Sequence, residues 1–232
     1  MAKKKQLDPT ALLVADLKLG KTPEQCRCID YLYSDDSQQK KGCFGGKKGD
    51  MDMDEYLRYV TNMANGLNLK EKAIEKIGLD ESQIAEIPPV HFSSFVWRGE
   101  GVKRKWEKQG DYYRGATNKY TITWIFFSAE QLFTYTYTFD TMSDNVTVLT
   151  RDFFYKDITC IRTQHELEAE RRKKTKGCGC MAKPVFYFDH LHTDLLQITV
   201  PGDSFSFEID STDTIEQTIQ ATKAMIREKK NA

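Results

Sequence analysis

The residues best suited to metal chemistry lie late in the chain, in Cys178-Gly179-Cys180 and His190-Leu191-His192. Two histidines at i and i+2 on a strand share a face, and thiolate with imidazole is a zinc ligand set. Asp189 and Asp194 flank the histidines and suit the task of orienting their rings. One residue separates the cysteines, whereas zinc motifs usually place about two to four between them. The competing expectation is a solvent-exposed hairpin loop for the cysteines and a wet strand face for the histidines. Cys26-Arg27-Cys28 is a weaker pair, because Cys26 shares a helix face with Ile29 and Tyr33 and reads as core. Six cysteines and four histidines supply chance Cys–His pairs, but no motif with a catalytic mechanism accompanies them. The expectation is a non-enzyme without a cofactor, zinc being the alternative.

The second candidate is a charge pattern. Glu166 to Lys174 places acids before bases, an order that favours a short helix through i, i+4 pairing. Arg171, Arg172, Lys173, Lys174 and Lys176 form a candidate patch for an anionic membrane or an acidic partner. Each such cation contributes about 1 kcal/mol near an anionic surface. Glu166, Glu168 and Glu170 offset part of that charge, so the plainer expectation is a solvated insertion. Two further motifs fail on their details. Gln38 to Gly49 lacks the glycine spacing, the hydroxyl and the preceding strand of a phosphate-binding loop. Asp50-Met51-Asp52-Met53-Asp54 opens like a calcium loop but has Glu55 and Thr61 where glycine and glutamate are needed.

Composition narrows the partners. The chain has 232 residues, 40% of them hydrophobic, enough for one large domain or two small ones. Thirty-four basic residues balance 34 acidic ones, which argues against nucleic acid as the dedicated partner. The first residues carry no apolar signal segment, and no stretch of about 18 apolar residues occurs. A cytoplasmic location follows as the expectation, with the six cysteines as thiols.

Periodicity divides the chain into a helical region over 1–89, a connector over 90–116 and a β-domain over 117–232. Asp8-Pro9 and Thr22-Pro23-Glu24-Gln25 mark helix starts, the latter as a capping box, and Gly20 is a stop. Met53, Tyr56, Leu57, Val60 and Met63 follow helical spacing up to Gly66, read as a cap. A shorter helix ends at Gly78, Asp80 to Gln83 opens another turn, and Pro88-Pro89 closes the region. Val90 to Trp97 reads as a first strand or an extended connector, and Arg98 to Arg114 as a basic linker.

From Lys119 the period becomes two. Tyr120, Ile122, Trp124 and Phe126 share one face, as do Phe133, Tyr135, Tyr137 and Phe139. Strands around Val146 and over Phe153 to Ile161 complete a first group of four. Beyond the charged insertion come three more, at Val185 to Phe188, Leu195 to Val200 and Ser204 to Ile209. A final amphipathic helix presents Ile215, Ile219 and Ile226.

Seven strands split four and three with one closing helix resemble the pleckstrin-homology-like (PH-like) barrel. Phe154-Tyr155-Lys156-Asp157-Ile158-Thr159-Cys160-Ile161 is similar to a strand of bacterial PH-like and GRAM-like domains, and Phe205 to Ile209 before a helix is similar to their ends. Over about residues 117–230 the resemblance implies an antiparallel seven-stranded PH-like barrel closed by the C-terminal helix; with the helical N-terminal region, which resembles no named family, the expected fold class is α+β. The resemblance also implies a binding module for a protein or peptide. The basic first loop of lipid-reading members is replaced here by Ser128-Ala129-Glu130, which speaks against phosphoinositide recognition. Exposed aromatic strand faces and basic loops are the expected contact surfaces, with an anionic membrane as the other partner class.

Overall fold

The computed structural model describes residues 9–34, 51–80, 88–109, 112–176, 183–209 and 213–231, with backbone alone over 167–176 and 183–193. Four helices come first: α1 (Pro9–Leu17), α2 (Pro23–Tyr33), α3 (Met53–Gly66) and α4 (Leu69–Ile77). The strands are β1 (Val90–Phe95), β2 (Arg104–Gln109), β3 (Tyr112–Thr117), β4 (Lys119–Phe127), β5 (Gln131–Asp140), β6 (Val146–Phe154), β7 (Cys160–Lys176), β8 (Lys183–Val200) and β9 (Asp203–Ile209). A terminal helix, α5 (Asp213–Asn231), follows. The turn expected from Asp80 to Gln83 falls largely outside the described residues.

Helix punctuation follows local chemistry. Thr22 Oγ1 accepts from Gln25 N (3.2 Å) while Gln25 Oε1 accepts from Thr22 N (3.0 Å), a complete capping box on α2. Asp52 caps α3 by accepting from Glu55 N at 2.8 Å. Gly66 does not take the left-handed cap expected of it. It stays inside α3, and Asn68 adopts φ 48° two residues later, a conformation that asparagine tolerates. The buried residues of α2 are Gln25, Cys28, Ile29, Tyr31 and Leu32, so Cys26, expected in the core, is only half-buried.

The chain is α+β, with antiparallel pairing in the β2–β3, β7–β8 and β8–β9 ladders. Among the described residues the strands form three sheets, β1-β4-β5-β6, β2-β3 and β7-β8-β9, and no closed barrel. Several expected strands are redrawn. Phe153 to Ile161 is not one strand: a 3-10 turn at Tyr155–Asp157 divides it. Tyr155 is turned inward there, its N–H donating to the Glu130 carbonyl (3.1 Å) and its hydroxyl to the Ser128 carbonyl (3.2 Å). The basic linker contains the β2–β3 hairpin, and β1 takes the place expected for the divided strand in the four-stranded sheet. The charged run is not helical. It extends β7, whose backbone pairs with β8 from Cys160↔Thr199 to Lys176↔Lys183. Glu166, Glu168 and Glu170 recur at period two, the pairs Glu168–Arg172 and Glu170–Lys174 fit i, i+4 spacing, and the β-forming Val185-Phe186-Tyr187-Phe188 across the ladder favours the strand.

Described residues group into two compact units, one within 1–73, 95–122 and 136–148 and the other within 74–94, 123–135 and 149–232. In the first unit an aromatic ladder joins helices to sheet. Ring centroids run from Tyr31 to Tyr56 (4.9 Å), Phe95 (6.4 Å), Tyr120 (5.1 Å) and Phe139 (5.8 Å). A branch leads from Phe95 through Trp97 to Trp106, the two indoles stacked at 5.1 Å. Gly115 of β3 lies against these indoles. A Cβ there would stand 2.5 Å from Trp97 Cη2 and 2.7 Å from Trp106 Cζ3. Gly115→Ala is therefore expected to cost about 1–3 kcal/mol by overpacking, measured as a lowered urea midpoint.

The second unit encloses one apolar core. Phe92 (β1), Ile125 and Phe127 (β4), Leu132 (β5) and Phe153 (β6) meet Leu196 and Ile198 (β8), Phe207 and Ile209 (β9), and Ile219 and Ile226 (α5). Helix α5 is also tied by Lys223 Nζ donating to Thr163 Oγ1 (3.1 Å) and Lys230 Nζ to the Ile158 carbonyl (2.6 Å).

Candidate functional site

The cysteines and histidines among the described residues range from buried to exposed. Cys28 is fully buried, and desolvation pushes its thiol up to about 12 despite a hydrogen bond with Thr141, so it is not the reactive thiolate. Cys26 Sγ lies 3.9 Å from the Lys18 carbonyl, and Cys160 opens β7 in solvent. His91 stacks on Trp124 at 4.6 Å, and burial holds its imidazole below the usual range. His165 Nδ1 stands 2.5 Å from Asp194 Oδ1, a directly opposed cross-strand pair in β7–β8. Among the described residues no three His, Cys, Asp or Glu side chains are placed to hold a metal ion.

The aromatic strand faces expected as a contact surface are largely taken up by the fold, with Tyr120, Trp124, Phe133 and Tyr137 half-buried. Ile122, Phe126, Tyr135 and Phe139 are all buried, and in the first unit Tyr120 and Phe139 continue the ladder from α2 and α3. Ile125 and Phe127, on the alternate face of β4, are buried as well. A strand apolar on both faces is the mark of a sheet covered on both sides.

Leu12 and Leu13 of α1 and Leu19 just after it are exposed, and two strand surfaces bear on the expected contacts. The first is β6, an outer strand of the four-stranded sheet. Its Val146, Val148, Leu149 and Phe154 are 54%, 43%, 43% and 42% exposed. Lys156 Nζ lies 5.2 Å over the Phe154 ring, and Arg151 lies 3.5 Å over the Phe205 ring.

The second is the distal part of β7–β8. Strand β9 pairs with β8 only over Asp194 to Val200, so Glu166–Lys176 and Lys183–Thr193 continue as a two-stranded ribbon. That ribbon collects nearly all the site residues expected from sequence. Arg171 is opposite Phe188, Arg172 opposite Tyr187, Lys173 opposite Phe186, Lys174 opposite Val185, and Lys176 opposite Lys183. His190 is opposite Ala169 and His192 opposite Leu167. Cys178 and Cys180 lie outside the described residues. Seven register rows separate His190 from the Lys176↔Lys183 pair and nine separate His192. At about 3.3 Å per row these are roughly 23 and 30 Å along the strand. A zinc ion shared by all four residues would require that pairing to open.

No family model, curated protein or solved structure matches this chain. No described helix is long and apolar enough to cross a membrane.

Proposed function

We propose that the chain is a non-catalytic intracellular interaction module on a PH-like plan, and that β6 receives an extended segment of a protein partner as an added strand. Two sheets and an amphipathic helix around one core, in the second unit, support the PH-like reading. The observation that carries the function is the exposed run Val146-Thr147-Val148-Leu149-Thr150 on an outer strand. Outer strands are ordinarily guarded by lysine, proline, a bulge or an inward charge. This run has no charge and no proline, and its β-branched residues suit pairing with a further strand. Backbone hydrogen bonds would supply affinity, and the side chains at alternate positions would supply selectivity.

The test is selection of a displayed random-peptide library on the immobilised full chain. The expected winners alternate β-branched or aromatic residues with polar ones. Val148→Lys should weaken them about tenfold, the cost of one poorly matched group in a strand pairing, while shifting stability by less than about 0.5 kcal/mol as a surface change. Peptides without strand character, or binding indifferent to Val148→Lys, would reject the reading.

A further inference from the structure

The β7–β8 ribbon is ordered by charge along its length. From the Lys176↔Lys183 pair inward, every row through Lys174, Lys173, Arg172 and Arg171 except Thr175↔Pro184 carries at least one cation. The next row is Glu170↔Asp189, followed by rows holding Glu168 and Glu166. Cations also occupy both sets of alternate positions, Arg171 and Lys173 in one, and Arg172, Lys174 and Lys176 in the other. Across the ladder stand Phe186, Tyr187 and Phe188, residues of the kind that settle at a membrane interface beside Lys and Arg.

We propose that these distal rows are an end-on docking element for an anionic lipid bilayer. Length decides the geometry. The cationic rows from Lys176 to Arg171 span about 17 Å at 3.3 Å per residue. A headgroup layer is roughly 5–8 Å deep, and the screening length at physiological salt is about 8 Å. Their sum nearly matches the cationic span. The first acidic row lies about 20 Å from Lys176, beyond the reach of the surface charge, so the acids do not oppose binding. A ribbon lying lengthwise along a duplex would instead bring Glu170 and Asp189 against phosphates within one residue of Arg171. The axial order therefore favours a plane met end-on over a polyanion met side-on. Docking rests on the ribbon alone, so it stands or falls separately from strand addition at β6.

Co-sedimentation of the full chain with phosphatidylcholine vesicles, with and without phosphatidylserine, tests it. Binding is expected only with phosphatidylserine and is expected to disappear at high salt. Each cation near such a surface is worth about fivefold in partitioning (about 1 kcal/mol). Lys173→Glu with Lys174→Glu should thus reduce partitioning about 25-fold or more, and the milder Lys173→Gln/Lys174→Gln pair covers the case in which the first variant does not fold. Glu168→Lys with Glu170→Lys should change it by less than about threefold, because both positions lie beyond the screening length. Three results would overturn the proposal: no binding to anionic vesicles at low salt, binding indifferent to the lysine variants, or a gain in the glutamate variant as large as the lysine loss. Retention of a random-sequence DNA duplex in preference to the vesicles would assign the ribbon to nucleic acid and also overturn it.

Discussion

Tyr56→Ala is expected to cost the fold about 3–5 kcal/mol, the range for removing a buried aromatic side chain. Tyr56 is fully buried on α3, and its ring lies between Tyr31 of α2 and Phe95 of β1. Its hydroxyl donates to the Thr117 carbonyl at 2.7 Å and lies 2.8 Å from Thr141 Oγ1. Each hydroxyl has one proton, so the Tyr56–Thr141 contact competes with the carbonyls that both face, Thr141 Oγ1 also donating to the Asn118 carbonyl at 3.1 Å. Burial raises the Tyr56 pKa far above the ordinary tyrosine range, which keeps that proton in place. Tyr56→Phe separates the two contributions. It keeps the stack but takes the donor from the Thr117 carbonyl, and should cost about 1–3 kcal/mol. Urea unfolding of the three proteins measures both losses, with an unchanged m-value showing that the native state is otherwise the same. A loss below about 1 kcal/mol for Tyr56→Ala would mean that the ladder is not what holds α2 and α3 to the sheet.

That ladder shows what the sequence carries and what it hides. Tyr56 and Val60 are legible as one helix face, and Tyr120 and Phe139 as strand faces, because each depends on a local period. Their meeting is not legible, since it joins residues far apart in the chain. The mistaken expectation of an exposed aromatic face came from that gap. A local signal did exist: Ile125 and Phe127 break the polar alternation on the other face of β4, as a strand covered on both sides must.

The β2–β3 hairpin was hidden for a different reason. Lys105 in its first strand is only 4% exposed, with its ammonium 2.5 Å from the Ser34 carbonyl and 5.8 Å from the Tyr31 ring centre. Reading lysine as a solvent residue erases the alternation that would mark the strand. The ribbon was hidden by ambiguity, since its glutamates recur at period two while its acids and bases also pair at i, i+4. Its run of cations is legible by position, because charge along a segment needs no knowledge of its partner. Where His190 and His192 lie relative to Lys176 depends on register, which only the pairing of β7 with β8 supplies.

The terminal helix carries the other large expected effect. Ile226→Ala should cost about 2–5 kcal/mol, the range for truncating a buried Ile or Leu in a core that cannot fully collapse. Ile226 is 1% exposed and shares its core with Ile219, Leu196, Ile198 and Phe207, so the missing atoms would leave a void against two sheets at once. Thr222 and Lys223 occupy the same buried stripe between the two isoleucines. Lys223 provides the control. Its stem packs while its ammonium reaches Thr163 Oγ1, so Lys223→Met keeps the packing and loses one hydrogen bond. That change should cost about 1 kcal/mol or less. Chemical denaturation of both variants decides the matter: a loss for Ile226→Ala no larger than for Lys223→Met would mean that α5 rests on the core without completing it, and the closing role assigned to the helix would have to be given up.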